Sequence, residues 1–127
     1  YPVVYLVGPR TRSAGEIGVI AAHALHVQSP GMVTILGYRT EGITSDVVEV
    51  EIDGFKIGFS AERYTTPTGR IYEVVGVPPT VYSKFAQPNL TLLKRTELFD
   101  QVTSRILQSG VDEDIEDAVS QLKKSQF

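Results

Sequence analysis

The stretch LVGPRTRSAGEI, residues 6–17, decides the fold because an apolar strand pattern changes there into a helical pattern. The run PVVYLV at 2–7 is short and almost entirely apolar, and it ends at Gly8. Such a run predicts a fully buried strand. From Ser13 onward the apolar residues follow a helical spacing instead, so this serine stands where a strand passes into a helix.

The residues that follow complete a strand–helix–strand unit. Ser29-Pro30-Gly31 ends the helical pattern, and MVTIL at 32–36 predicts a second short, buried strand. Two short apolar strands joined by a helix are typical of a βαβ unit with parallel strands. The sequence therefore predicts the α/β class.

A second β element follows, with a different pattern. Apolar and polar residues alternate in VVEVEI (47–52) and in FKIGF (55–59), and Asp53-Gly54 between them predicts a two-residue hairpin turn. A further turn at 66–69 precedes IYEVVGV (71–77), which we expect to add another strand to this antiparallel element.

Two helices are predicted to end the chain. A helical pattern runs from Asn89 to Gly110, and acidic residues at 112–114 open a last helix that carries lysines at 123–124. Consecutive carboxylates on a helix point in different directions, so we read 112–114 as helix-terminus charges and predict no metal site. A parallel sheet of only two strands is difficult to cover, which suggests a fragment of a larger domain.

The composition excludes several classes of protein. The 127 residues include 42% apolar and 21% charged residues, with a net charge of −3 and no basic stripe, so we expect no nucleic-acid partner. No apolar run approaches the roughly 20 residues of a membrane span. The absence of cysteine excludes disulfides, thiolate metal sites and cysteine nucleophiles.

Ser13 suits two different roles. In Ser-Ala-Gly-Glu its hydroxyl can accept from the N–H of Glu16 while the Glu16 side chain returns a hydrogen bond, which is a capping box. The same position lies beside unpaired N–H groups at the positive end of a helix, which can stabilise an oxyanion. Nucleophile and cap are not exclusive, and both remain open from the residues alone.

A serine nucleophile also needs a base. His23 lies ten residues along the same helix, about 15 Å from Ser13, and His26 is farther away. Neither can reach Ser13, so we expect both to be ordinary helix residues. The base is then a lysine brought close by folding, or a group outside this chain.

Several stretches, in order, resemble one family. PVVYLVGPRTRSAGEI (2–17) looks like a strand leading to a Ser-Ala-x-Glu nucleophile turn, and LGYRTEG (36–42) looks like a Gly-x-x-Thr-x-Gly segment. Asp53-Gly54 with TPTGRIYEVVGVPPTV (66–81) resembles a hairpin and its closing strand, and DEDIEDAVSQL (112–122) resembles a terminal helix. Together they resemble the tail-specific, or C-terminal processing, serine peptidases, including their tricorn-like and retinoid-binding-protein-like relatives.

The resemblance implies a fold and an organisation. It implies a crotonase/ClpP-like βαβ core fragment with an antiparallel β-hairpin element and two C-terminal helices. Residues 1–127 would be the C-terminal portion of a peptidase-like catalytic core, without its upstream half or any PDZ domain. Residues 89–127 would form a helical C-terminal extension.

The resemblance also implies a site. Ser13 would be the nucleophile, and the backbone N–H of Ala14 would contribute to the oxyanion hole. Gly37, Thr40 and Gly42 would line the cleft that holds an extended polypeptide substrate. No cofactor or metal is implied.

One position departs from the family pattern. The serine–lysine branch places its lysine directly after Gly-x-x-Thr-x-Gly, where this chain has Ile43, which cannot accept a proton. Either the protein resembles the tricorn-like branch, with a histidine base upstream, or it is a homologue without activity.

Two functions therefore stand as hypotheses. The first is a serine endopeptidase, present as a fragment that is inactive alone, which forms an acyl-enzyme with a base from outside the chain. The alternative is a non-catalytic module that binds a peptide or an apolar ligand, or that assembles with itself through an exposed sheet edge. The resemblance favours an extracytoplasmic location.

Overall fold

A computed structural model describes residues 1–66 and 68–124. Its elements follow in this order: β1 (Val3–Val7), α1 (Ala14–Gln28), β2 (Val33–Gly37), β3 (Val47–Ile52), β4 (Phe55–Ser60), β5 (Val81–Tyr82), α2 (Leu92–Ser109) and α3 (Glu113–Lys124). Pro67, in the turn predicted at 66–69, and residues 125–127, at the end of the predicted extension, lie outside the described residues. The mixed α/β class predicted from the sequence is confirmed.

The predicted βαβ unit is present and has one strand more than expected. β1 and β2 pair in parallel, from Val3 opposite Val33 to Val7 opposite Gly37. β5 adds a third parallel strand of two residues beside β2, which gives the order β1-β2-β5. The core lies between α1 and the sheet and consists of Val7, Val19, Ala22, Val33, Ile35, Tyr72 and Val77, with Ile20 packed against it.

The prediction of a fully buried first strand is wrong. Val3, Tyr5 and Leu6 are 46%, 41% and 48% exposed, and only Val7 is buried. The reason is the position of β1 at the edge of the sheet, where no other described strand pairs with its outer side. An apolar run indicates that a strand can be buried, but the partner that buries it is a tertiary matter.

The predicted hairpin is confirmed. β3 and β4 pair antiparallel from Val47 opposite Ser60 to Ile52 opposite Phe55, and Asp53 and Gly54 form the turn with φ of 52° and 81°. Both turn residues have the positive φ that this kind of two-residue turn requires. All twelve strand residues are exposed, so this ribbon stands apart from the core.

Residues 71–77 do not form the strand expected from their apolar pattern. They form a turning segment in which Val74 and Gly76 have φ of 68° and 77°. The Val74 N–H donates to the carbonyl oxygen of Gly42 at 2.6 Å. A Cβ on Gly76 would lie 2.2 Å from the carbonyl oxygen of Thr40, so only glycine fits there. The segment is folded by contact with residues 40–42, which a local pattern does not report.

The two C-terminal helices begin and end near the predicted residues. The Thr91 hydroxyl caps α2, and Gly110 ends it in the left-handed conformation with its N–H on the carbonyl oxygen of Ile106. The Asp112 carboxylate caps α3 by accepting from two backbone N–H groups. None of the helices in the described ranges combines the length and apolar character needed to cross a bilayer.

Candidate active site

Ser13 occupies a strained turn between β1 and α1. Its φ of 52° and ψ of −129° are sparsely populated for any residue except glycine. The side chain is exposed and forms no capping hydrogen bond. The N–H groups of Glu16 and Ile17 donate instead to the backbone carbonyl oxygen of Ser13, at 2.9 and 3.2 Å. The predicted capping box is therefore wrong, and the Ser13 hydroxyl is not used to start the helix.

The Glu16 side chain has a different task from the one predicted. It is fully buried and turns away from Ser13 toward the loop at 40–43. Its carboxyl oxygens accept from the Thr40 hydroxyl, from the Gly42 N–H at 2.9 Å and from the Ile43 N–H at 2.7 Å. Because buried acceptors are costly when unpaired, these three donors fix the loop to the first turn of α1.

Thr40 connects this arrangement to the rest of the fold. Its side chain is fully buried, and its hydroxyl accepts from the Val77 N–H at 2.7 Å while it donates to Glu16. Its carbonyl oxygen accepts from the Arg95 guanidinium at 2.6 Å. Burial, followed by the nearby charge of Arg39, lowers the pKa of Arg95 from its ordinary value. Helix α2 is thereby fastened to the loop beside Ser13.

A second carboxylate holds the other half of the same loop. Glu73 accepts from the N–H and hydroxyl groups of both Thr44 and Ser45, with the Thr44 N–H at 2.8 Å and the Ser45 hydroxyl at 2.8 Å. Burial alone would raise the pKa of Glu73, but these four donors outweigh burial and leave the pKa below its ordinary value. Glu73 is not among the residues predicted from the sequence to belong to the site. The signal available was a lone acidic residue inside the apolar run IYEVVGV.

Ser13 lines a cavity of about 220 Å³. Its lining residues come from three segments, and they are Ser13, Ala14, Ile17, Thr44, Asp46 and Tyr64. Tyr64 donates to the Glu62 carboxylate at 3.0 Å, and this hydrogen bond, with the negative charges of Glu62 and Asp46, raises the pKa of Tyr64 above its ordinary value. The Tyr64 phenol therefore keeps its proton near neutral pH. The cavity leaves space next to the Ser13 hydroxyl for part of a second molecule.

Ala14 is the first residue of α1 and lies on the wall of this cavity. Among the described residues, no acceptor takes its backbone N–H, whereas the next two N–H groups of the turn donate to Arg12 and Ser13. An N–H that opens a helix also lies at the positive end of the helix dipole. It is suited to stabilise the negative oxygen of a tetrahedral carbon that is bonded to the Ser13 hydroxyl oxygen.

Gly37, Thr40 and Gly42, predicted to line a substrate cleft, are all buried. Gly37 and Gly42 lie against backbone, because a Cβ would approach the Val7 carbonyl oxygen to 2.0 Å and the Gly76 nitrogen to 2.8 Å. Any part that these three residues take in binding is therefore indirect, through the loop that they shape. Their role stays a prediction.

The position of Ile43 is next to the serine. The Ser13 N–H donates to the Ile43 carbonyl oxygen at 2.6 Å, and the Ile43 side chain is 43% exposed. Isoleucine at this position offers no nitrogen that could accept a proton. His23 and His26 are engaged elsewhere along α1, His23 near the Tyr72 ring and His26 through Nδ1 with the Val33 carbonyl oxygen at 2.5 Å.

The described ranges contain no cluster of three or more metal-ligating side chains. What they contain is an exposed serine on a strained strand-to-helix turn, a helix N-terminus beside it, and a loop held by two carboxylates. A serine on a sharp strand-to-helix turn is the setting in which many serine hydrolases carry their nucleophile. Residues 1–83 match the model of peptidase family S41, and the chain therefore belongs to that family.

Solved structures agree with this assignment. The chain is similar to a photosystem II D1 C-terminal processing protease, with 31% identity and a TM-score of 0.55 over 65% of this chain and 20% of that one. Two structures of mature CPAF, one complexed with lactacystin, show 18% identity and a TM-score of 0.54 over 84% of this chain, and this likeness concerns the fold alone. The chain spans 20% of the length of each of these proteins. Among curated proteins none matches it.

Proposed function

We propose that the chain supplies the nucleophile half of a serine endopeptidase of the C-terminal processing type. Ser13 forms the acyl-enzyme, and the Ala14 N–H contributes to the oxyanion hole. The substrate is an extended polypeptide that lies along the loop at 37–46. The general base comes from outside these 127 residues.

The observation that carries this proposal is the conformation of Ser13. A serine that only capped a helix would adopt extended backbone angles and place its hydroxyl on an N–H group of the first turn. Ser13 has a positive φ and an exposed hydroxyl without a cap hydrogen bond. Strain of this kind persists only where the surroundings fix it, and the network of Glu16 around the loop at 40–43 supplies that support.

The proposed chemistry needs one proton acceptor and one oxyanion site. Ser13 Oγ bonds to the carbonyl carbon of the scissile peptide while its proton passes to the base, and the electron pair of the C=O bond moves to oxygen. The Ala14 N–H donates to that oxygen. When the C–N bond breaks, the leaving amine takes the proton from the base, and water then hydrolyses the serine ester.

The base is assigned outside the chain because the cavity offers no strong one. Of the described residues that line it, Asp46 alone carries a carboxylate, and an aspartate is a far weaker base than an imidazole or an amine. Tyr64 keeps its proton, and Ile43 has none to exchange. We therefore expect the 127-residue chain to have no peptidase activity by itself.

The organisation of the chain is part of the proposal. The parallel β1-β2-β5 sheet with α1 against it would be a piece of a crotonase/ClpP-like core whose other strands lie outside these 127 residues. Residues 89–127 would be a helical C-terminal extension, which is supported by the end of the family match at residue 83.

The test is covalent labelling with a fluorophosphonate serine probe, read by peptide mass spectrometry. It is carried out on the longer protein that contains this chain, and on its Ser13→Ala variant. We expect an adduct on the peptide that carries Ser13, and loss of both adduct and peptide hydrolysis in Ser13→Ala.

Ser120→Ala is the matched control, because Ser120 is an exposed serine on α3. It should label and hydrolyse peptide as the unchanged protein does. Absence of an adduct at Ser13 in a folded protein would overturn the proposal. Hydrolysis by the 127-residue chain alone would overturn the assignment of the base.

Ile43 favours one alternative. Its backbone carbonyl oxygen accepts from the Ser13 N–H, and an apolar side chain stands at the sequence position where the lysine branch of the family would place its base. The same fold without a base would be a binding or assembly module for a peptide or an apolar ligand, open to self-association along the outer edge of β1. Peptide binding without any labelling of Ser13 would support this function.

A further inference from the structure

A second cavity of about 250 Å³ lies along α1, and none of its lining residues is shared with the Ser13 cavity. One wall belongs to α1 and is apolar, formed by Ile20, Ala24 and Val27. The rest of the lining includes Arg70 and Tyr72 from the segment that follows the hairpin, together with the polar residues Gln28, Thr66 and Thr68. A cavity lined by apolar side chains and one cation is suited to a ligand with an apolar body and a negative group.

The Arg70 guanidinium lies over an aromatic ring. Its central carbon lies 5.1 Å from the centroid of the Tyr72 ring, and Tyr72 is only 3% exposed, so the ring is a rigid platform. In residues 1–66 and 68–124, no carboxylate forms an ion pair with Arg70. A stacked guanidinium keeps the N–H groups at its edge available, and two of them match the two oxygens of a carboxylate.

His23, also on α1, lines the same cavity. Its ring centroid is 6.5 Å from that of Tyr72 and 6.5 Å from that of His26. Burial, and then the positive charges of His26 and Arg70, lower the pKa of His23 below its ordinary value. The imidazole is therefore neutral at pH 7, and an anion placed beside it would favour uptake of a proton.

We propose that this cavity binds a carboxylate joined to a branched apolar group. The carboxylate lies on the edge of the Arg70 guanidinium, and the apolar group packs against Ile20, Ala24 and Val27. The C-terminal residue of a peptide and a free aliphatic acid share this chemistry. The site is independent of the chemistry proposed for Ser13, from which His23 is about 15 Å away along the helix.

Isothermal titration calorimetry with two matched probes tests the proposal. N-acetyl-L-leucine carries the carboxylate and the branched group, whereas N-acetyl-L-leucinamide lacks only the charge. We expect the acid to bind at least about tenfold more tightly than the amide, because the charged hydrogen bonds to Arg70 are lost with the amide. 4-Methylpentanoic acid, which has no acetylamino group, distinguishes the two kinds of ligand. If it binds as tightly as N-acetyl-L-leucine, the ligand is a free aliphatic acid. If it binds more weakly, the ligand is the C-terminal residue of a peptide.

Variants assign the binding to this cavity. Arg70→Gln should weaken binding of N-acetyl-L-leucine by about tenfold. Arg63→Gln, which removes the same charge from an exposed residue outside the cavity, should change it less than twofold. Equal binding of acid and amide, or equal effects of the two variants, would overturn the proposal.

Proton uptake provides a measurement that does not depend on a mutated arginine. In NMR spectra of the protein with 13C-labelled histidine, N-acetyl-L-leucine should raise the pKa of His23. The dissociation constant should then decrease from pH 7.5 to pH 5.5, and His23→Gln should remove this dependence. A His23 titration that is identical with and without the probe would contradict the site.

Discussion

The backbone N–H of Ser13 donates to the carbonyl oxygen of Ile43 at 2.6 Å. This hydrogen bond joins the turn at Ser13 to the loop at 40–43. The Glu16 carboxyl group fixes that loop by accepting hydrogen bonds from it. The conformation of the serine is thus set from outside its own helix. The stability of the loop and the reactivity of the serine should therefore change together.

Ser13 itself gives the first prediction. Because its hydroxyl does not cap α1, Ser13→Ala should change the free energy of unfolding by less than about 0.5 kcal/mol, whereas removal of a true cap costs about 1 kcal/mol. Ser13→Gly should stabilise by about 1 kcal/mol, because glycine adopts a positive φ without strain. Urea unfolding of the three proteins measures both values. A loss above 1 kcal/mol in Ser13→Ala would restore the capping role.

Glu16→Gln tests the support of the loop. Glutamine would place an amide N–H₂ group against backbone N–H donors of Gly42 or Ile43, so we expect a loss of about 2–3 kcal/mol and reduced labelling of Ser13. Glu97→Gln, on the exposed face of α2, should cost less than about 0.5 kcal/mol and leave labelling unchanged. Similar unfolding curves for the two variants would show that the buried carboxyl is not needed.

Glu73 gives a prediction about acid stability. Its pKa in the folded protein lies below the ordinary value of 4.5, so its contribution to stability is complete above that pH. The contribution is lost as the pH falls through the folded value, because protonation removes the negative charge that strengthens these four hydrogen bonds and turns one acceptor oxygen into a donor. The melting temperature of Glu73→Gln should therefore fall less steeply below about pH 4.5 than that of the unchanged protein. Parallel melting curves from pH 6 to pH 3 would exclude this role.

Gly76 tests the contact between the two loops. Gly76→Ala combines a positive φ with a Cβ 2.2 Å from the Thr40 carbonyl oxygen. Gly54→Ala has nearly the same φ, 81°, but nothing within 4 Å of its Cβ. Gly54→Ala, in the hairpin turn, should lower the free energy of unfolding by about 1–2 kcal/mol. Gly76→Ala should lower it by at least about 2 kcal/mol more. Chemical unfolding measures the difference, and equal losses would mean that the loop moves aside without cost.

Local signals in the sequence predicted the parts of the fold that local chemistry determines. Asp53-Gly54 specified the hairpin turn because both residues tolerate positive φ, and Gly110 specified the end of α2 for the same reason. The run at 71–77 misled because its shape depends on hydrogen bonds with residues 40–42 far along the chain. β5 was not predicted, because a strand of only two residues, Val81–Tyr82, is too short to show an alternating pattern.

In the site too, the sequence predicts what local chemistry determines and does not predict what contacts between distant residues determine. The position of Ser13 at the start of a helix follows from the sequence, but its φ and its free hydroxyl do not. Glu16 fitted a capping box by spacing, yet two backbone donors and a hydroxyl from the loop at 40–43 compete successfully for its carboxyl group. Glu73 could not be assigned from spacing, because its partners lie nearly thirty residues earlier in the chain.

The ribbon of β3 and β4 has a consequence for how the molecule opens. Its strands are bonded to each other, and none of their residues is buried, so little apolar contact opposes their separation. Amide hydrogens in the ribbon should exchange with deuterium long before those of β2, which lies between two strands and beneath α1. A protease added to the folded protein would make its first cut there, which would separate the chain into a part that keeps Ser13 and a part that keeps Glu73.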